Sequence, residues 1–127
     1  MKAVFDSDVL IDYLQGVSAA RQELERYDQP LYSIISLMEL LVGARTVTER
    51  EAAEALLSTL ERVDLTEKVA RRAVELRQSL RLKLPDAIVL ASADIEGCIL
   101  KRPTAMIGIR LGRLPAVRPS PRHSLPK

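Results

Sequence analysis

An α/β sandwich, with a small central parallel sheet flanked by helices, is the fold class this sequence predicts, on three observations. Three short apolar runs, Lys2-Ala3-Val4-Phe5, Leu31 to Ile35 and Cys98 to Leu100, have the length and character of buried strands. Segments with helical spacing of apolar residues separate them. The resulting order of strand, helices, strand, helices, strand is that of parallel strands joined by helical crossovers. The composition agrees: 47% hydrophobic and 28% charged residues supply a core and a solvated surface rather than a disordered chain. At 127 residues the chain fills one domain and is too short for two ordinary ones.

The elements follow in order. After the opening strand, Ser7 or Asp8 caps a helix that runs to about Gln15 and stops at Gly16. A second helix starts at Ser18, takes Leu24 as an apolar anchor and ends before Pro30. The β-branched run from Leu31 to Ile35 is the second strand. Ser36 begins a helix carrying Leu37, Leu40 and Leu41 and ending near Gly43. Thr48 and Glu51 have capping-box spacing for a fourth helix, running to about Arg62. Thr66 caps a fifth, with Val69, Ala73, Leu76 and Leu80 on one face. Pro85 suits the first turn of a sixth, from about Asp86 to Glu96, closed by Gly97. Residues 1–114 read as one domain. The segment 115–127, basic and proline-rich, reads as an extended or disordered tail.

Charge and cysteine usage exclude several classes. The formal net charge of +2 hides an asymmetry, because no acid follows Glu96 while seven Lys and Arg residues do. Such a segment meets phosphate backbones or is merely solvated, and composition leaves both open. Cys98 is the single cysteine, which rules out an internal disulfide and multi-cysteine zinc sites; a small apolar role fits it. The longest apolar stretch, Ile34 to Ala44, contains Glu39 and is too short to cross a bilayer. The first 20 residues lack the features of a signal peptide, so a cytoplasmic protein without membrane attachment is expected.

Three acids, Asp6, Glu39 and Asp86, are each expected at or just inside the start of a helix leaving a sheet edge. Active sites of open parallel sheets lie at that edge. Each acid also has a plainer reading. Ser36-Leu37-Met38-Glu39 fits a capping box, and Asp86 after Pro85 fits an ordinary first-turn acid. If the three converge, their mutual repulsion requires a cation. All-oxygen ligation points to Mg²⁺ or Mn²⁺, which suits a metal-activated water attacking a phosphodiester. Ser7 and Ser36 either support these carboxylates by hydrogen bonds or cap helices.

The stretches Val4-Phe5-Asp6-Ser7-Asp8-Val9-Leu10-Ile11-Asp12, Ile35 to Ala44 and Leu84-Pro85-Asp86-Ala87-Ile88 resemble three motifs of the PIN domain, and more narrowly of VapC toxins from bacterial VapBC pairs. The resemblance spans about residues 2 to 100, in order and at family-like spacing. It implies a PIN-like three-layer sandwich and a Mg²⁺- or Mn²⁺-dependent endoribonuclease acting on RNA. It also implies silencing by a VapB-like antitoxin and assembly as a homodimer. Carried over by position, Asp6, Glu39 and Asp86 are the metal-binding catalytic acids, with Ser7 in support.

The sequence departs from the family at a fourth polar position. Pro103 stands where an asparagine is expected and Met106 where an aspartate is expected, and neither side chain binds a metal. A PIN-like domain that binds RNA or antitoxin without cutting is therefore a second reading. A third comes from Asp6-Ser7-Asp8, which also resembles the nucleophile motif of haloacid-dehalogenase-type phosphatases. That family needs later acids for its magnesium, and here none follows Glu96. Asp94, eight residues beyond Asp86 on one helix, is too far along the axis to join it, and His123 stands isolated.

Overall fold

The computed structural model describes residues 1–103. The expected domain end at 114, the 115–127 tail, Met106 and His123 lie outside the described residues. Four strands, β1 (Lys2–Phe5), β2 (Gln29–Ser33), β3 (Glu61–Val63) and β4 (Ile99–Lys101), form one sheet in the order β3-β2-β1-β4. Every pairing is parallel, with Val4 opposite both Leu31 and Leu100. Six helices connect them: α1 (Ser7–Leu14), α2 (Ser18–Glu25), α3 (Ile34–Gly43), α4 (Val47–Ser58), α5 (Glu67–Leu80) and α6 (Leu84–Ile95). Among the described residues no helix is long and apolar enough to cross a membrane.

The side-chain alternation of the strands divides the core into two layers. Ala3, Phe5 and Tyr32 face one side and pack with Leu10 of α1, Leu24 of α2 and Leu56 and Leu57 of α4. Val4, Leu31 and Val63 face the other and pack with Leu76 of α5 and Leu90 of α6. β1 lies in the interior of the sheet and is covered on both faces, as central strands of parallel sheets are. Helix α3 serves both layers, through Ile35 on one side and Leu40 on the other. The expected three-layer sandwich is what the chain forms.

Three local expectations are corrected. The fourth helix ends at Ser58, and residues expected in its last turn form the edge strand β3. Only Val63 of that strand is buried, so it carries no apolar run to announce it. The cap of α4 is Thr46, which accepts from the Glu49 N–H, while the Glu49 carboxylate accepts from the Arg45 N–H. The Thr48–Glu51 spacing is not used. The third helix starts at Ile34 rather than Ser36, with Ser33 as its cap accepting from the Ile35 N–H. β2 correspondingly ends at Ser33, two residues short of Ile35.

The two helices on one face are also joined by charge. Arg72 of α5, buried, donates to Asp94 of α6 at 2.5 Å and to Glu75 at 3.0 Å. Asp94 is thus committed to a structural ion pair between helices. Cys98 is half-buried against the same layer, and burial pushes its thiol up, away from the reactive thiolate.

Leu76 is fully buried between α5 and the sheet. Leu76→Ala is expected to cost about 2–5 kcal/mol of unfolding free energy, read from the urea midpoint at unchanged m-value. A cost below about 1 kcal/mol would show that this layer does not close on Leu76.

Candidate active site

Asp6 is the residue where β1 stops being a strand and α1 begins. Its backbone is extended, and its N–H still bonds the carbonyl of Lys101 at 2.9 Å, so the sheet pairing with β4 continues one residue past β1. Its carboxylate then caps α1: Oδ1 accepts from the Ser7 N–H at 2.7 Å. The same register brings the residue after β4 alongside, and Arg102 Nε donates to Asp6 Oδ2 at 3.2 Å.

Asp6 and Asp86 both line a small cleft at the carboxyl edge of the sheet. Its walls are Asp6, Leu82, Asp86, Val89, Leu90, Leu100 and Arg102, and its interior holds about 10 Å³, the space of one water-sized sphere. Asp86 is the third residue of α6, after Pro85, in the turn where the helix favours negative charge. Pro85 and Asp86 are exposed, whereas the Asp6 side chain is only 13% exposed.

Burial pushes the Asp6 carboxyl above its usual value. The Arg102 guanidinium and the Ser7 N–H work against that shift, and the neighbouring charges of Asp8 and Asp86 add to it. The net direction is upward, so burial, with a smaller contribution from the neighbouring acids, outweighs Arg102 and the Ser7 N–H.

Glu39 belongs to the next layer of contacts. It is the sixth residue of α3, more than a turn inside the helix, and not the first-turn acid that the capping-box spacing suggested. Its partner is the hydroxyl of Ser7, which donates to Glu39 Oε1. Ser36 Oγ lies 2.9 Å from Ser7 Oγ. A hydroxyl carries one proton, so with the Ser7 proton committed to the carboxylate, Ser36 supplies the proton between the two oxygens. Ser36 and Ser7 are buried, and they bridge α1 to α3 directly beside Asp6. Both serines thus support a site acid, and neither is the helix cap that spacing alone allowed.

The three acids are therefore not placed alike. Asp6 and Asp86 line the cleft, and Glu39 reaches the site through Ser7. Among the described residues, no three His, Cys, Asp or Glu side chains stand close enough to hold a metal together. The donors present still fit a hard divalent cation, since Mg²⁺ is commonly held by one or two carboxylates and keeps several waters. Arg102, which sequence reasoning did not single out, is the further residue of this site. The signals for it were its place directly after the last strand and its match to the arginine of the Thr-Arg-Asn stretch that VapC-like chains carry there.

The chain has relatives of known family and fold. The PIN domain model matches residues 3–100. A ribonuclease VapC10 of Mycobacterium tuberculosis is 41% identical over 99 residues, covering 72% of this chain and 74% of that protein. Among solved structures, a toxin–antitoxin complex from Klebsiella pneumoniae superposes with a TM-score of 0.75 at 37% identity, covering 84% of this chain and 92% of the other. VapBC2 of Rickettsia felis, bound to a promoter DNA fragment, shares the fold with a TM-score of 0.70 at 20% identity, covering 79% and 86%.

The raised Asp6 carboxyl has a measurable consequence. Asp6 holds its proton more tightly when folded, so its contribution to stability is complete below pH 3.8 and is lost as pH rises through the folded value. Asp6→Asn keeps a capping side chain and removes that loss. In metal-free buffer the variant should melt above the unchanged protein at neutral pH, with the difference vanishing as pH falls toward 3.8. Equal melting temperatures at neutral pH would contradict the charge strain assigned to Asp6.

Proposed function

Since the chain belongs to the PIN-domain family, we propose that it is a ribonuclease toxin of the VapC type, cleaving RNA phosphodiester bonds with the help of Mg²⁺ or Mn²⁺. The observation that carries this reading is the cleft lined by both Asp6 and Asp86 at the carboxyl edge of the sheet. Kinship with a ribonuclease at 41% identity supports the substrate class.

The residues divide the work by position. Asp6 and Asp86 would hold the cation, and Glu39 would add its charge from the Ser7 side. When bound, the ion supplies charge neutralisation at the scissile phosphate and a water of lowered pKa. Ser7 fixes the Glu39 carboxylate through its hydroxyl, and Ser36 fixes Ser7. Leu82, Leu90 and Leu100 give the cleft an apolar wall that strengthens electrostatics inside it. Arg81 and Lys83, both exposed, flank Leu82 at the rim, where RNA phosphates would approach.

A VapB-like antitoxin is the partner this reading assigns. A groove of about 240 Å³ lies between α1, α3 and α4, lined by Ile11, Leu14, Leu40 and Ala53, with Glu39 at one side. Met38, Val42 and Val47 are exposed on the two helices beside it. An amphipathic antitoxin helix seated there would lie against Glu39 itself. Homodimer formation and a cytoplasmic setting belong to the same proposal. The comparisons lend no support to the phosphatase reading.

The test is cleavage of structured RNA by the purified protein, free of antitoxin, with Mg²⁺ or Mn²⁺. Cleavage should stop on chelation and return with added ion. Asp6→Asn and Asp86→Asn are expected to lower the rate by about 10²-fold or more. Ser7→Ala, which only loosens a supporting contact, should cost about 10–100-fold. RNA binding without cleavage under all these conditions would instead establish the non-cutting form of the fold.

A further inference from the structure

Arg102 occupies a place in the site that the proposed chemistry does not use. Its guanidinium contacts Asp6 Oδ2, and Arg102 lines the same small cleft as Asp6 and Asp86. The contact runs through Nε at 3.2 Å, at the long end for a charge-assisted bond, and the Arg102 side chain is 21% exposed. It is a weak, accessible bond. Two backbone features hold the residue there. The Asp6 N–H bonds the Lys101 carbonyl, which pins the chain immediately before Arg102, and Pro103 restricts Arg102 to an extended backbone.

We infer that Arg102 is a built-in counter-cation of the acid pair, which a divalent ion must displace from Asp6 before it can bind. In the metal-free protein the guanidinium partly compensates Asp6 and Asp86, so the cleft tolerates its own acids. When the ion binds, the guanidinium leaves Oδ2 but stays tethered by Lys101 and Pro103 at the cleft wall. Arg102 thereby sets the ion's affinity as a positioning residue, and it keeps that affinity low. A neighbouring cation both competes for the carboxylate and repels the bound ion. The same position that lacks a polar ligand at Pro103 thus carries an opposing charge one residue earlier. This inference rests on the metal-binding reading of Asp6 and Asp86.

The test is direct binding of Mn²⁺ to the full chain by titration calorimetry, without RNA, with circular dichroism confirming that each variant is folded. Arg102→Gln is expected to bind Mn²⁺ about tenfold more tightly than the unchanged protein, the effect of removing one unit charge beside the ion in a water-exposed cleft. Arg102→Lys, which keeps the charge, should stay within about threefold of the unchanged protein. The stabilisation by saturating Mn²⁺, read as the rise in melting temperature, should be larger for Arg102→Gln than for either. Unchanged or weaker binding by Arg102→Gln, while the unchanged protein binds and Asp6→Asn does not, would overturn this inference alone. Failure of the unchanged protein and Arg102→Gln alike to bind Mn²⁺ would overturn both it and the metal-binding reading.

Discussion

A carboxylate at the end of a fully buried central strand must find positive charge, and much of the geometry around Asp6 answers that need. β1 is covered on both faces, so the chain delivers Asp6 to the sheet edge with little solvent to spare. The backbone amide of Ser7 and the guanidinium of Arg102 each reach one of its two oxygens. They do not fully offset the burial and the acids around it, so the carboxyl remains raised.

The sheet and the site share their architecture. Parallel strands put every carboxyl end on one edge, which is why acids far apart in sequence arrive together. Asp6 follows β1 directly, and Glu39 arrives on the helix that follows β2. Asp86 comes on the helix that leads into β4, so its place is set by how α6 packs across the core. The Ser7–Ser36–Glu39 chain then ties two of these arrivals to one another. Buried hydroxyls in such a chain are costly unless fully satisfied, and here each oxygen meets a partner, which makes the linkage rigid. Glu39 also lines the groove between α1, α3 and α4, so that groove and the Ser7 linkage share one residue.

Most elements were legible in the sequence because their causes are local. Apolar periodicity, Gly16, Pro85 and Thr66 marked helices whose bounds the structure keeps to within a residue or two. The failures have equally physical reasons. β3 is a three-residue edge strand with one buried side chain, and its existence depends on the exposed edge of β2 rather than on any apolar pattern of its own. Ser33 and Ser36 were both chemically able to cap α3. The choice fell to the register of β2, which carries the extended chain only as far as Ser33. Ser36, left inside the helix, became free to support the site.

By itself the sequence determined the layered α/β class, the family motifs and the three acids, since strand runs, helix signals and motif spacing are written in neighbouring residues. Only the tertiary structure decided how those acids divide: Asp6 and Asp86 lining one cleft, Glu39 behind Ser7. It alone brought Arg102 to Asp6, 96 residues apart in the chain. That pairing is made by the register of β4 against β1, and registers between distant strands are set by packing across the whole core, which no local pattern encodes.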